Sequence, residues 1–259
     1  MDLYDAEKQH ERNWSLALYV FMGLIILCMV VIIIFYQHQP KYDPYTFCLL
    51  PKVESHTSIL IDKTDRYSKP QTQKIRMILT SLSKKMIRGE KLTIYVVDAE
   101  NIHGKDPIFD SCSPGSEENY SKLTEHRRIA KERFDKLFYK KLESLLSELL
   151  TVEEHPKSPI LEDLISLEKL DDFGNSVTNR RIILISDMLQ NSDTFNIYKT
   201  DISAPITKLR LMPPQDFSGI EIFIYVIPRE KFSIQQHYMK EWYWPTMLNG
   251  AQITFESIL

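Results

Sequence analysis

Residues 57–62 read TSILID, a short apolar run that ends in an acid. Two later segments repeat the pattern, because residues 91–98 read KLTIYVVD and residues 181–187 read RIILISD. A fourth apolar run, IEIFIYVI, occupies residues 220–227. Near-continuous apolar runs of this length are typical of strands that are buried on both faces of a parallel sheet. The four runs therefore predict the central strands of an α/β domain.

Segments with the apolar spacing of helices separate these strands. Helices are predicted at residues 71–87, 124–150, 159–170 and 231–247, and a last short strand at residues 252–255. Strands that alternate with helices predict a three-layer, doubly wound, mostly parallel sheet with helices on both faces. Several of the connections should be right-handed crossovers.

A long apolar segment precedes this domain. Residues 14–36 read WSLALYVFMGLIILCMVVIIIFY and contain no Asp, Glu, Lys or Arg. About 20 apolar residues cross the ~30 Å hydrocarbon core of a bilayer as a helix. A cleaved signal peptide would be shorter and would end in a small-residue cleavage site, which the following YQHQPKYDPY does not offer. We therefore expect an uncleaved signal anchor, a single transmembrane helix that follows an N-terminal tail of residues 1–13.

Residues 37–54 are predicted to be a linker, because Pro40, Pro44 and Pro51 interrupt any regular element. The folded domain is then residues 55–259. Basic residues decide the expected orientation in the membrane. Lys8 and Arg12 precede the span and only Lys41 follows it closely, and this excess weakly favours the domain on the extracytoplasmic side.

Two cysteines, Cys48 and Cys112, follow the membrane span. They can pair in an oxidising compartment and stay as thiols in a reducing one. The sequence alone does not decide between these states.

Three of the predicted strands end in an acid, at Asp62, Asp98 and Asp187. The carboxyl ends of parallel strands share one edge of the sheet, where functional groups collect. Thr64 stands two positions after Asp62, so a carboxylate and a hydroxyl can face one point. Such oxygen ligands suit Mg²⁺ or Mn²⁺ better than zinc.

Three short motifs in this order resemble those of a von Willebrand factor type A (VWA) domain. They are Asp62-x-Thr64 after the first strand, Ser158 before a middle helix and Ser186-Asp187 after a later strand. The resemblance covers residues 57–259 at the level of topology and motifs, and it indicates a divergent, bacterial-type branch. It implies a metal-ion-dependent adhesion site, in which acids and hydroxyls hold Mg²⁺ and a partner carboxylate completes the coordination.

The resemblance assigns metal-binding roles residue by residue. Asp62 matches the first Asp, Thr64 the first hydroxyl, Ser158 the distant Thr and Asp187 the last Asp. The chain departs from the pattern at Arg66, which stands where a second Ser is expected. An arginine cannot ligate a cation and would repel it.

Two neighbours are candidates for the missing ligand, Ser68 directly if the loop is reshaped and Asp65 through a water molecule. Ordinary structural roles are also open for the assigned residues. Asp62 is a candidate turn cap. Ser158 is placed to cap a helix that begins at Pro159. Asp187 needs a partner, which is either a metal or Arg180 or Arg181.

The leading hypothesis for function is a membrane-tethered, non-enzymatic module that binds a protein partner, through Mg²⁺ or Mn²⁺ and a partner carboxylate. The long polar segment at residues 99–120 is expected at the carboxyl-end rim of the sheet, where it would shape specificity. With a net charge of −3 the chain is not expected to bind nucleic acid.

Two alternatives stay open. A metal-dependent hydrolase of the nuclease type would use Asp62, Asp65, Asp98 and Asp187 around one or two cations. The sequence offers it no convincing general base and no nucleophile motif. In a metal-free scaffold, Arg66 would instead pair with Asp62 or Asp187 and take the place of the cation.

Overall fold

The structure is a computed structural model that describes residues 2–64, 66–97, 106–116, 127–149, 157–174, 176–203 and 211–258. It divides into two units, Met1–Lys41 and Tyr42–Leu259. The first unit is formed by helix α1 (Asp2–Gln37). Within it, Leu16–Gln37 has a mean hydropathy of 3.2 and is long and apolar enough to cross a membrane.

The second unit contains the α/β domain. The strands are β1 (Lys41–Tyr42), β2 (Leu49–Leu50), β3 (Ser55–Asp62), β4 (Lys91–Val97), β5 (Phe109–Cys112), β6 (Asn179–Ser186), β7 (Gln215–Asp216), β8 (Ile220–Val226), β9 (Leu248–Asn249) and β10 (Gln252–Ser257). The helices are α2 (Lys69–Lys85), α3 (Arg127–Phe134), α4 (Lys140–Leu149), α5 (Ile160–Glu168), α6 (Ser233–Tyr238) and α7 (Trp244–Met247). Single π-helical turns, Asp135–Tyr139 and Met239–Tyr243, join α3 to α4 and α6 to α7.

The main sheet has the strand order β10-β8-β6-β3-β4-β5. All neighbours are parallel except β5, which runs antiparallel to β4. The chain starts at the centre with β3, adds β4 and β5 on one side, and then crosses to β6, β8 and β10 on the other. The order therefore reverses between β3 and β6, and in open α/β sheets ligands bind in the crevice at such a switch point. The predicted doubly wound, mostly parallel sheet is confirmed.

Side chains of the central strands are buried on both faces of the sheet. In β3, Leu60 belongs to the core that includes Leu164 of α5, whereas Ile61 belongs to the core that includes Ile75 of α2. All four side chains are fully buried. Helices thus cover both faces, as the apolar runs predicted.

Strand β5 was not predicted, and it corrects one expectation. It pairs Phe109 with Ile94 and Cys112 with Lys91, so the chain runs back to the amino end of β4. The ring of Phe109 packs against that of Phe138, with 5.5 Å between centroids. The prediction that all of residues 99–120 lie at the carboxyl-end rim is therefore wrong for β5. Residues 98–105 and 117–126 lie outside the described residues.

Cys48 and Cys112 form a disulfide, with 5.0 Å between their Cα atoms. The ring of Tyr42 also lies on the domain, 4.3 Å from the guanidinium of Arg88. A Cβ atom at Gly89 would come within 2.7 Å of the same ring, so only glycine allows this close approach. Residues 42–54, which the sequence assigns to the linker, thus lie within the second unit.

Candidate functional site

Asp62 ends β3 at the switch point and is 3% exposed. Its Oδ1 accepts hydrogen bonds from the backbone N–H of Thr64, at 3.1 Å, and from Thr64 Oγ1, at 2.7 Å. Its Oδ2 accepts from Ser158 Oγ, at 3.0 Å, and from Ser186 Oγ, at 2.8 Å. An ionised carboxylate offers about four such acceptor positions, so these donors satisfy it. We call Asp62, Thr64, Ser158 and Ser186 the edge cluster.

The turn that follows Asp62 explains the position of Thr64. An Asp side chain that accepts from the N–H two residues later forms an Asx turn, which is a local preference of this residue type. The hydroxyl of Tyr67 also donates to the backbone carbonyl of Asp62. The bond to the Thr64 N–H matches the turn-capping role considered for Asp62, and the same carboxylate in addition gathers hydroxyls from elsewhere in the chain.

Ser68 is used for a different purpose. It is the N-cap of α2, where its Oγ accepts from the N–H of Gln71 and Gln71 Oε1 accepts from the N–H of Ser68. This reciprocal pair is a capping box. Ser68 is exposed and serves the start of the helix. The other substitute ligand, Asp65, lies outside the described residues.

Ser158 reaches the cluster because its backbone is fixed to the loop after β6. Its N–H donates to the carbonyl of Asn191 at 2.8 Å, and the N–H of Asn191 donates back at 3.0 Å. The side chain is then 5% exposed and donates to Asp62. Ser158 thus joins the edge cluster, and its role as a metal ligand stays a prediction.

The alternative role of Ser158 as a helix cap is wrong. Helix α5 begins at Ile160, and its cap position is Pro159, which makes no side-chain capping bond. The N–H of Leu161 instead donates to Oε1 of Gln190, at 2.9 Å. Gln190 is fully buried, and its Nε2 donates to Glu162 at 2.6 Å. A side chain from the loop after β6 therefore replaces the cap.

Asp187 follows β6 directly and is 4% exposed. Its Oδ1 accepts from the N–H of Leu189 at 2.9 Å, and its Oδ2 accepts from Nε of Arg229 at 3.3 Å. Nη1 of the same guanidinium donates to the backbone carbonyl of Arg66 at 3.0 Å. Arg229 therefore connects the end of β6 to the loop after β3.

The sequence also named Arg180 and Arg181 as partners of Asp187, and for these two arginines the prediction is wrong. Arg181 pairs with Glu221, and Arg180 donates to the carbonyl of Ser218. Both arginines begin β6, whereas Asp187 follows its end, so the length of the strand separates them. Arg66 accepts a hydrogen bond from Arg229 through its backbone carbonyl, and its side chain is exposed.

The side chain of Gln236 is hydrogen-bonded to the backbones of both Arg229 and Asp187. Nε2 of Gln236 donates to the carbonyls of Asp187 and Ile227, both at 2.8 Å. Its Oε1 accepts from the N–H of Arg229 at 2.9 Å.

The turn after β6 has a strained backbone. Met188 has a φ of 66°, a conformation that costs energy for a residue with a Cβ, so the surrounding contacts must stabilise it.

The oxygens of the edge cluster are the right kind for a hard cation such as Mg²⁺. Their arrangement fits a bound divalent ion poorly, however. The three hydroxyls donate their hydrogens to Asp62, and the positive charge of Arg229 lies against Asp187. Within the part of the chain that the structure describes, no group of three or more His, Cys, Asp or Glu side chains is placed to hold a metal ion.

The structure thus brings together Asp62, Thr64 and Ser158, and it adds Ser186. Ser186 stands beside the predicted Asp187 at a strand end, so its position in the sequence was a usable signal. Arg229 had no such signal, because 42 residues separate it from Asp187.

No protein-family model matches the sequence, and no curated protein matches it. Among solved structures, the chain is similar to one described as the crystal structure of the SpRpn10 VWA domain. The two are 12% identical, the match covers 80% of this chain and 90% of that chain, and the TM-score is 0.38. At such low identity and score, the fold assignment rests on the strand order of the sheet.

Proposed function

We propose that this chain is a membrane-tethered interaction module, which holds a protein partner at the edge cluster of its α/β domain. The observation that carries the proposal is the convergence on Asp62 of hydroxyls from Thr64, Ser158 and Ser186. Burying polar groups costs free energy unless they are paired, and this cluster gathers and pairs them at the switch point of the sheet. That crevice is where ligands bind in sheets of this kind.

The apolar span supports the tether. Leu16–Gln37 is an apolar helix of 22 residues, which is long enough to cross the hydrocarbon core of a bilayer. The disulfide between Cys48 and Cys112 supports an extracytoplasmic domain, because such bonds persist in oxidising compartments. The excess of Lys and Arg before the span points the same way.

A reporter enzyme that is active only outside the cytoplasm, fused to the C-terminus, tests this orientation. We expect activity from the fusion in the full-length chain. Activity from a reporter that works only in the cytoplasm would place the domain on the other side and would remove the argument from the disulfide.

Partner binding is tested by co-purification with the full-length chain from detergent-solubilised membranes. Ser158→Ala and Thr64→Ala each remove one hydroxyl of the edge cluster and should reduce the amount of partner retained. Ser81→Ala, which removes an exposed hydroxyl on α2, is the matched control and should retain it. Equal retention by all three variants would contradict the proposal.

A second candidate adds a divalent cation, Mg²⁺ or Mn²⁺, held by Asp62, Thr64, Ser158 and Asp187 and completed by a partner carboxylate. The oxygen-only composition of the cluster supports it. It requires Arg229 to release Asp187. Calorimetric titration of the full-length chain in detergent tests it, because a single-site heat that disappears in Asp62→Asn would support the cation, and no heat at millimolar concentration would exclude it.

The hydrolase alternative gains no support from the described residues. Two of its acids, Asp65 and Asp98, lie outside them. Of the other two, Asp62 accepts four hydrogen bonds and Asp187 is paired with Arg229. Turnover of a phosphoester that vanishes in Asp62→Asn would be needed to revive it.

A further inference from the structure

We propose that Arg229 is the resident cation of this site, and that its guanidinium supplies at Asp187 the positive charge that a divalent ion would otherwise supply. The site is then complete without metal. The inference rests on the proposed function only in taking the edge cluster and its neighbour Asp187 as the working site.

The guanidinium of Arg229 contacts two oxygen acceptors at once. Nε lies 3.3 Å from Oδ2 of Asp187, and Nη1 donates to the carbonyl of Arg66 at 3.0 Å. The side chain of Asp187 is 4% exposed and that of Arg229 is 21% exposed. The planar, permanently charged fork of an arginine can engage two acceptors at once in a fixed geometry. Arg229 therefore contacts the carboxylate of Asp187, after β6, and the neutral backbone carbonyl of Arg66, in the loop after β3.

Gln236 fixes the position of Arg229 beside Asp187. Its N–H donates to Oε1 of Gln236, and Nε2 of Gln236 donates to the backbone of both Asp187 and Ile227. The same glutamine thus fixes the backbone of the cation and the backbone of its acid. Arg229 is held against Asp187 from two directions, which distinguishes it from a surface arginine that finds an acid by chance.

The two buried acids of the site are compensated in different ways. Asp62 and Asp187 stand at the ends of β3 and β6, and a buried carboxylate is costly unless its charge is paired or hydrogen-bonded. Asp62 receives it from hydroxyls and an N–H, and Asp187 receives it from Arg229. A divalent ion beside Asp187 would be repelled by the guanidinium and would have to displace it. The two cations therefore compete for one carboxylate.

Thermal unfolding of the full-length chain in detergent micelles, with and without millimolar Mg²⁺ or Mn²⁺, tests the inference. The Tm of the natural chain should not change with either ion. Arg229→Gln should lower Tm by roughly 3–6 °C. Added ion should then recover at least half of that loss, because the ion takes the vacated carboxylate and binding to the native state alone raises its stability.

Arg181→Gln is the matched control. Arg181 also pairs with an acid at 3.3 Å, but at the opposite end of the sheet, so its variant should show no recovery with either ion. The inference is overturned if the natural chain is stabilised by Mg²⁺ as much as Arg229→Gln is. It is also overturned if neither ion raises the Tm of Arg229→Gln.

If Arg229→Gln does not fold, Arg229→Lys is measured in its place. Lysine keeps the positive charge, so this variant should remain insensitive to both ions, and stabilisation by Mg²⁺ would contradict the inference. No partner protein is present in these measurements. A failure of partner binding in Ser158→Ala therefore leaves the result on Arg229 unaffected, and the two proposals fail separately.

Discussion

Ser158 Oγ donates a hydrogen bond to Asp62 Oδ2 at 3.0 Å, although 96 residues separate them in the sequence. The bond ties the segment that leads into α5 to the end of the central strand. Since Ser186 Oγ donates to the same oxygen, one carboxylate fixes the relative positions of β3, β6 and the start of α5. The edge of the sheet is thereby organised by side chains of this chain.

Asp62→Ala should lower the free energy of unfolding by about 2–4 kcal/mol, because it leaves several buried donors without their acceptor. Denaturant unfolding of the full-length chain in detergent measures the loss. Asp193→Ala is the control, since Asp193 is exposed and pairs only at the surface with Lys157. That variant should cost about 0–1 kcal/mol. Equal losses in the two variants would contradict the central role of Asp62.

Gln190→Ala should loosen the start of α5. The side chain is fully buried and accepts from the N–H of Leu161, so its loss leaves that donor unpaired, at a cost of about 1–3 kcal/mol. Hydrogen exchange at the Leu161 amide should accelerate. Gln215→Ala, which removes a half-buried side chain bonded to a carbonyl two residues away, should leave this amide as protected as before.

The stability of the domain should fall as the pH drops below about 6.5. His56 is 1% exposed, and burial lowers its pKa from the ordinary value of 6.5, although the carbonyl of Asp172 partly opposes this. The unfolded chain then takes up the proton first, so acidification favours unfolding by up to about 1.4 kcal/mol per pH unit until the folded state also titrates. His56→Gln should flatten this dependence below pH 6.5.

The matched control for this titration is His237→Gln, which removes an exposed ring and should keep the slope of the natural chain. Denaturant midpoints measured at several pH values give the slope. A slope that survives in His56→Gln would assign the pH dependence to other groups.

Loss of the disulfide should destabilise the domain by about 4 kcal/mol, on the chain-entropy model for a loop of this length. Cys48 and Cys112 are 64 positions apart. Cys48→Ser should therefore lower the denaturant midpoint, whereas Cys28→Ser, in the apolar helix, should not. Thiol labelling of the unreduced, unfolded chain should modify Cys28 alone, and labelling of all three cysteines would show that the bond does not form.

The sequence was a good guide where one physical cause acted alone. Burial on both faces produces an uninterrupted apolar run, so β3, β4, β6 and β8 were predicted close to their observed bounds. The shared carboxyl edge of parallel strands then placed Asp62 near Asp187. Strand β5 was missed because its four residues, FDSC, lie at the sheet edge and lack such a run.

The remaining features of the site depend on tertiary proximity. Ser158 has the local pattern of a helix cap, and only the backbone pairing with Asn191 turns it toward Asp62. Arg229 lies in the loop after β8, and nothing near it in the sequence indicates Asp187 as its partner. The pair exists because β8 is the neighbour of β6, and strand order was not fixed by the sequence.

Site-specific photo-crosslinking in intact membranes tests whether a partner protein binds at the edge cluster, with the photoreactive residue placed at Lys63, beside the edge cluster, or at Thr178, before β6. We expect a crosslinked partner protein from Lys63 and none from Thr178. The product should be lost in Ser158→Ala and should persist in the presence of a chelator. Equal products from the two positions, or a Lys63 product that survives Ser158→Ala, would contradict partner binding at the edge cluster.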